Sequence, residues 1–417
     1  RRVLFRSNAK SGIDIDTGAQ ENRIQGNLIG TSQFGSAAVA NRERGITLSG
    51  TTNNLVGGTT PGARNVISGN LADGIQIYDS GARSNRVEGN FIGVDVTGTN
   101  RLGNGGAGVW ITNAPANFVG SGTGGGGNVI SGNAAAGVEL RSAGATSNQV
   151  LGNLIGTDAT GMVGLGNGSG YYGVVIDRAP GNVIGGVIPY ARNVISSNNT
   201  GIYVSGTGAS NNVIQGNYIG TDITGLNPLG NLKDGIAVGN PLAIGEFPRN
   251  NIIGGAVPGA GNVVAGNGTP KINGVDSYRG GIAIGAAVGI VIQGNLIGVA
   301  ANGFTPMGNT GHNVELELAT NTIVGGTNPL AWNIIAHVIT PDRSGVRIRS
   351  GIGNVILGNS IYSNGLFGIS LNGASALAND VGLCDADTGQ NGKQNFPVLQ
   401  SGVSDGLTTC VRGYLDS

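Results

Sequence analysis

Three charged side chains occupy positions whose spacing suits acid–base chemistry. Glu139 and Arg141 lie two residues apart in one copy of a short Gly-Ile-x-Ile-like segment of this 417-residue chain, and Asp177 occupies the position of Arg141 in the next copy. If the copies stack as neighbouring strands, the Cα atoms of Glu139 and Asp177 are roughly 8 Å apart. Carboxyl groups about 5–9.5 Å apart can hydrolyse a glycosidic bond, and Arg141 would neutralise a uronate or developing negative charge. The alternative is that Arg141 pairs with one carboxylate on a solvated sheet surface.

Aromatic and small residues in neighbouring copies predict a surface on which sugar rings could stack. The aromatic candidates for substrate binding are Tyr78, Trp110, Tyr172 and Tyr203. An insertion over 268–280 adds three polar candidates, Lys271, Tyr278 and Arg279, to a chain that is otherwise poor in charge. Loops on a rigid scaffold often carry function, and here small residues predict a shallow groove beneath the loop: Ala237, Gly239, Ala283 and Gly285. A tolerated insertion without function is the alternative.

The remaining polar patterns predict structure rather than chemistry. Oppositely charged residues on neighbouring copies predict two cross-strand ion pairs, Glu315 with Arg347 and Glu317 with Arg349. Asx turns explain the aspartates of the DxTG segments better than a shared calcium ion does, because these aspartates recur too far apart: Asp95, Asp158 and Asp222. The only histidines, His312 and His337, are not expected to bind a metal. We therefore predict neither a metal nor a cofactor; calcium stays open, without a clear motif to support it.

The composition excludes several classes of protein. Glycine accounts for 81 residues and charged residues for 11% of the chain, which disfavours helices. Hydrophobic residues still amount to 39%, enough to form a core. Lys+Arg and Asp+Glu balance at 23 each, so no basic surface for a nucleic acid is expected. No apolar run reaches the ~20 residues that a membrane span needs.

A repeat explains this composition and positions the candidate residues. The pattern Gly-Asn-x-Ile-Gly recurs about every 63 residues over most of the chain, starting at Gly26, Gly89, Gly152, Gly216 and Gly294. Each unit contains two Gly-Ile-x-Ile-like strands, whose alternation places the isoleucines on one face and the intervening residue on the other. We predict an all-β parallel solenoid of about 12 rungs, in which the Asn and Gly columns form the corners and bond neighbouring coils.

The Gly-Ile-x-Ile and Asn-x-Ile-x-Gly-Asn-x-Ile patterns resemble the right-handed parallel β-helix of the pectate-lyase-like superfamily, and most closely its Gly/Asn-rich secreted bacterial members. The resemblance covers residues 11–375 and implies the fold, which serves lyases, hydrolases, epimerases, adhesins and passive stalks. The catalytic motifs of polygalacturonase-like enzymes and pectate lyases are not matched, so no catalytic residue can be transferred. We expect a secreted or cell-surface scaffold or adhesin whose partner is a polysaccharide. The alternative is a polysaccharide lyase or glycoside hydrolase acting in a groove on the Gly-Ile-x-Ile sheet.

The two ends of the chain differ from the repeats. Residues 1–7 (RRVLFRS) resemble a translated sequencing adapter, which predicts a non-native leader over 1–10 and a metagenomic fragment. The β-helix is predicted over 11–377. Residues 378–417 resemble the closing segment of bacterial surface proteins of the CSLREA type, followed by the start of a truncated β-sandwich. This tail is expected to carry one local disulfide, Cys384–Cys410, with two unpaired thiols as the alternative.

Overall fold

The chain forms a β-helix in which each coil adds one strand to each of three parallel sheets. The computed structural model describes residues 3–168, 170–242, 245, 247–269 and 280–371, and the backbone of 398–404 and 409–414. Three long sheets, here called sheets 1, 2 and 3 in the order in which a coil visits them, contain 12, 11 and 12 strands. Their strands pair in parallel with the corresponding strands of the coils before and after. The predicted all-β, right-handed parallel β-helix is confirmed.

The strands are short, and each sheet collects one sequence pattern. Sheet 1 contains the Gly-Ile-x-Ile strands: Ile13–Ile15, Ile46–Ser49, Ile75–Tyr78, Val109–Thr112, Val138–Arg141, Tyr172–Asp177, Thr200–Ser205, Ile236–Val238, Ile282–Gly285, Val314–Glu317, Val346–Ile348 and Ile369–Leu371. Sheet 2 contains Arg23–Ile24, Leu55–Gly57, Arg86–Glu88, Phe118–Gly120, Gln149–Leu151, Val183–Ile184, Val213–Ile214, Ile252–Gly254, Val291–Gln293, Ile323–Gly325 and Val355–Leu357. Sheet 3 contains Leu4–Phe5, Leu28–Ile29, Val66–Ile67, Phe91–Ile92, Val129–Ile130, Leu154–Ile155, Val194–Ile195, Tyr218–Ile219, Val263–Val264, Leu296–Ile297, Ile334–Ala336 and Ser360–Tyr362. Two further strands, Ala319–Thr320 and Gly351–Ile352, pair beside the main sheets, and 3-10 turns cover Pro61–Ala63, Pro189–Ala191 and Pro329–Ala331.

The register of sheet 1 is the one that the alternation predicts. Its strands, numbered in chain order, define rungs 1 to 12. Trp110 on rung 4 pairs with Glu139 on rung 5, and their inward neighbours Ile111 and Leu140 are fully buried. The outward column runs through Asp14, Thr47, Gln76, Trp110, Glu139, Val175, Tyr203, Ala237, Ala283, Glu315, Arg347 and Ser370. A stack of buried Ile, Val and Leu thus holds a regular outer surface in place.

Buried asparagines bond the coils to one another at the corners. The side-chain oxygen of Asn128 accepts hydrogen bonds from the main-chain N–H and the side-chain amide of Asn90, at 2.9 and 3.1 Å. The side-chain amide of Asn128 donates to the Val87 carbonyl at 2.7 Å and to Asn153 Oδ1 at 2.9 Å. Two further ladders repeat this pattern along the helix. The predicted structural role of the asparagine columns is confirmed, because each side chain satisfies main-chain groups of adjacent coils.

The DxTG segments form Asx-type turns, as predicted. Oδ1 of Asp158 accepts from the Thr160 hydroxyl at 2.7 Å and from the Met162 N–H at 3.2 Å. Successive turns are joined by main-chain bonds, such as Ala159 N–H to Gly98 C=O at 2.9 Å. Within the described residues, no group of three or more His, Cys, Asp or Glu side chains is placed to hold a metal ion.

Sheet 3 begins near the start of the chain. Leu4–Phe5 pairs in parallel with Leu28–Ile29, so the first strand lies within the segment 1–10 that was assigned to a leader. The origin of that segment stays a prediction. In the part of the chain that the structure describes, no helix has the length and apolar character to cross a membrane.

The predicted tail is described only in part. Val398–Ser404 and Thr409–Tyr414 form an antiparallel pair within segment 378–417. Cys384 and the side chain of Cys410 lie outside the described residues. The disulfide and the boundary after residue 377 therefore stay predictions.

Candidate functional site

The two carboxylates predicted to do acid–base chemistry each pair with a different arginine. Arg141 Nε lies 2.9 Å from Glu139 Oε2. Asp177 pairs instead with Arg178, whose Nη2 is 2.9 Å from Oδ2, and accepts a hydrogen bond from the Ser205 hydroxyl at 3.2 Å. Burial raises the pKa of Glu139, although the charge of Arg141 opposes this rise. The Glu139–Arg141 pair is one that the structural alternative predicts, whereas the Asp177–Arg178 pair is not part of that expectation. A catalytic role for the three residues stays a prediction.

Two of the four predicted aromatic residues come together. The rings of Tyr172 and Tyr203 are stacked, with centroids 4.7 Å apart and 16° between their planes. Trp110 and Tyr78 are half-buried on rungs 4 and 3, away from that pair. The indole Nε1 of Trp110 is buried without a hydrogen-bond partner. The remaining predicted binding residues lie outside the described residues: Lys271, Tyr278 and Arg279.

A groove of about 610 Å³ lies on sheet 1 where the small residues predict it. Small side chains on rungs 8 and 9 line it: Ala237, Gly239, Ala283 and Gly285. Because two successive rungs carry no large outward side chain, the surface sinks between larger residues on both sides. The stacked Tyr172 and Tyr203 line one end. Polar side chains of Asn199, Thr200 and Lys233 line the groove as well.

Charged residues of rungs 10 and 11 line the other end of the groove. Glu315 Oε1 lies 3.5 Å from Arg347 Nη1, and Glu317 Oε1 lies 2.9 Å from Arg349 Nη1. Both predicted ion pairs are therefore confirmed. Three of these side chains also line the groove: Glu315, Glu317 and Arg349.

Glu315 has an unusual environment for a carboxyl group. Burial, with only 14% of the side chain exposed, and the negative charges of Asp234 and Glu317 together raise its pKa to about 7, against the opposing charges of Arg347 and Arg349. A carboxyl group that titrates near neutral pH inside a cleft is a candidate for proton transfer. Sequence reasoning assigned Glu315 an ion pair only. The sequence feature that could have indicated a further role for Glu315 is its position beside two rungs of small residues.

His312 is buried next to Arg347 at this end of the groove. Its Nδ1 accepts a hydrogen bond from the Ser344 N–H at 2.9 Å, and its Nε2 lies 3.3 Å from Arg347 Nη1. Burial, with the charges of Arg347 and Arg343, lowers the pKa of His312 to about 4. The imidazole is therefore neutral at physiological pH and adds no charge beside the guanidinium.

We expect Glu315 and His312 to shape the pH dependence of stability in opposite directions. The stabilisation linked to protonated Glu315 is complete below pH 4.5 and is lost as the pH rises to about 7, which amounts to roughly 3 kcal/mol. His312 has a lowered pKa, so its linked stability increases as the pH rises from about 4 to 6.5. The two effects offset each other in the native protein between pH 4.5 and 6.5. In the variant Glu315→Gln, stability should instead rise by roughly 3 kcal/mol across this range, measured by urea unfolding. Parallel curves for the two proteins would contradict the pKa of Glu315.

Comparisons with known proteins return similarities of structure at low sequence identity. No family model and no curated protein sequence matches the chain. The Dettilon tailspike protein (gp208) is 17% identical with a TM-score of 0.46, over 88% of this chain and 61% of its own. A DFA-IIIase from Arthrobacter chlorophenolicus A6 is 14% identical with a TM-score of 0.41, over 84% and 87%. PfbA, a surface adhesin of Streptococcus pneumoniae, is 12% identical with a TM-score of 0.31, over 97% and 92%. The chain thus spans about three-fifths of the tailspike's length, and these similarities leave its function open.

Proposed function

We propose that the chain is a secreted or cell-surface β-helix that binds an extended polysaccharide in the groove on sheet 1. The observation that carries this proposal is the stacked pair Tyr172–Tyr203 at the end of a groove of about 610 Å³. The apolar face of a sugar ring packs well on an aromatic face, and a concave surface with a few polar groups is typical of ligand sites.

The shape of the groove favours a linear polymer over a compact ligand. The groove extends from Tyr172 on rung 6 to Arg349 on rung 11, and five rung spacings of about 4.8 Å correspond to roughly 24 Å along the helix axis. Asn199, Thr200 and Asn240 line it with side chains that can bond to hydroxyl groups. A chain of several sugar rings lying along the axis would contact both the aromatic end and the charged end.

A scaffold or adhesin role follows from the same architecture. A stack of alike coils lengthens the molecule by one rung at a time, and each coil contacts only its neighbours. The predicted enzymatic alternative at Glu139, Arg141 and Asp177 receives less support, because neither Glu139 nor Asp177 lines the groove. Polysaccharide binding in the groove is therefore the function that the geometry supports best.

Loss of one tyrosine ring should weaken polysaccharide binding. We expect Tyr203→Ala to lower the affinity for a retained soluble polysaccharide by about 3- to 10-fold, because a stacked aromatic contact contributes about 0.5–1.5 kcal/mol. Affinity electrophoresis in gels that contain plant, algal or bacterial polysaccharides measures the change.

Two further variants test whether the groove is the binding surface. Tyr190, which is 65% exposed, lines a separate cavity of about 520 Å³ beside sheet 3, and Tyr190→Ala should leave binding unchanged. Trp110→Ala tests the predicted aromatic surface on rungs 3 to 7. Loss of binding in either of these variants, with normal binding by Tyr203→Ala, would place the polysaccharide elsewhere.

A further inference from the structure

We propose that Glu315 and Glu317 form an acid–base pair that hydrolyses a glycosidic bond of the polysaccharide bound in the groove. This inference rests on the proposed binding function and adds a reaction to it. The two residues alternate with the buried Leu316 in strand Val314–Glu317, so both project from the outer face of sheet 1. Their Cα atoms are two residues apart in an extended strand, about 6–7 Å. Both side chains line the groove.

The two carboxyl groups have different surroundings. Glu315 is the more buried of the two, and its pKa of about 7 leaves a substantial protonated fraction at neutral pH. Glu317 is 25% exposed and pairs as a carboxylate with Arg349 at 2.9 Å. Two carboxyl groups whose environments separate them in this way supply an acid and a base at one site.

The charges around Glu315 support its assignment as the acid. Asp234, which is buried and accepts a hydrogen bond from the Gly280 N–H at 2.9 Å, and Glu317 both disfavour a second negative charge there. The guanidinium of Arg347, 3.5 Å away, stabilises the carboxylate that remains after the proton has been given up.

The reaction balances with water as the only co-reactant. A water molecule, whose proton passes to the Glu317 carboxylate, attacks the anomeric carbon of the sugar. The bond between that carbon and the glycosidic oxygen breaks, and the oxygen takes its electron pair and a proton from Glu315. The products are two shorter chains, one with a new hemiacetal end, and the two carboxyl groups have exchanged protonation states. Exchange with solvent restores them. Carboxyl groups about 6.5–9.5 Å apart leave room for the water.

The test measures binding and cleavage separately on the same samples. The full chain is incubated in ¹⁸O-water with each polysaccharide that it retains in affinity electrophoresis, and soluble products are analysed by mass spectrometry. We expect oligosaccharides that carry ¹⁸O at the new reducing end. Glu315→Gln and Glu317→Gln should each reduce the rate by about 10²–10⁴-fold while retention of the polysaccharide persists. Glu88→Gln is the control, because Glu88 is also largely buried, with 8% of its side chain exposed, and pairs with Arg86 at 2.6 Å on sheet 2.

The pH profile gives a readout that a merely structural role would not produce. The wild-type rate should fall as the pH rises through about 7, because Glu315 then loses the proton that it must donate. A rate that stays constant from pH 5 to 9 would overturn the assignment of Glu315 as the acid.

Each other outcome also decides the question. Retention without any products overturns hydrolysis and leaves the binding proposal in place. No retention of any polysaccharide overturns both. Unsaturated ends without ¹⁸O would mean elimination rather than hydrolysis. Products that persist in Glu315→Gln but disappear in Glu139→Gln would move the chemistry to the site on rungs 5 and 6.

Discussion

Replacing Asn128 with leucine should destabilise the β-helix by at least about 3 kcal/mol. Asn128 is 1% exposed, and its side chain makes four hydrogen bonds, to Asn90, Val87 and Asn153. Leucine is similar in size but removes all four bonds, and it leaves the main-chain N–H of Asn90 buried without the acceptor that it has here. Each buried polar group that loses its partner costs about 1–3 kcal/mol. The effect should appear as a lower urea midpoint in equilibrium unfolding followed by circular dichroism.

Asn100 offers a matched control for this substitution. It is exposed, and its side-chain amide bonds only to its neighbours in the turn, at 2.9 Å to Asp95 and 3.3 Å to Thr99. Asn100→Leu should change stability by less than about 1 kcal/mol. Equal losses in the two variants would show that the ladder contributes no more than an ordinary surface asparagine.

The fold could be predicted from the sequence because its determinants are local and repeated. Alternation in Gly-Ile-x-Ile decides which side chains face the core, and the repeat decides which residues pair. Trp110 therefore lies opposite Glu139, as the spacing predicts. The cross-strand pairs Glu315–Arg347 and Glu317–Arg349 follow from the same register.

The partners of individual charges could not be predicted in the same way. Asp177 pairs with its sequence neighbour Arg178 rather than with Arg141, which lies opposite it in the sheet. Register specifies which backbones are adjacent, whereas the contacts of long side chains depend on rotamers and on local burial. The same holds for Glu315, whose pKa depends on Asp234, two rungs away, and on its own burial. The alternation of inward and outward residues therefore predicts where the groove lies, but it does not predict that Glu315 is the carboxyl group with the raised pKa.

Replacing Gly120 with alanine should destabilise the protein by about 2–5 kcal/mol. Gly120 ends the strand Phe118–Gly120 with φ of +81°, a conformation that costs a residue with a Cβ about 1–2 kcal/mol. A Cβ at this position would also lie 1.9 Å from the Leu151 carbonyl oxygen and 2.6 Å from Asn153 Oδ1. Both atoms belong to the next coil, so the overlap can be relieved only by separating two coils of the stack. Urea unfolding measures the loss.

Two other glycines separate the contributions of φ and of the overlap. Gly18 has φ of +90°, and a Cβ there would meet nothing within 4 Å, so Gly18→Ala should cost only about 1–2 kcal/mol. Gly62, in the turn Pro61–Ala63, has open space and no positive φ, and Gly62→Ala should be neutral or stabilise by up to about 1 kcal/mol. We expect Gly62→Ala to be the most stable of the three variants, Gly18→Ala to be intermediate and Gly120→Ala to be the least stable. If Gly120→Ala lost no more stability than Gly18→Ala, close contact between coils would not exclude a side chain at this corner. The backbone conformation alone would then explain why the residue is glycine.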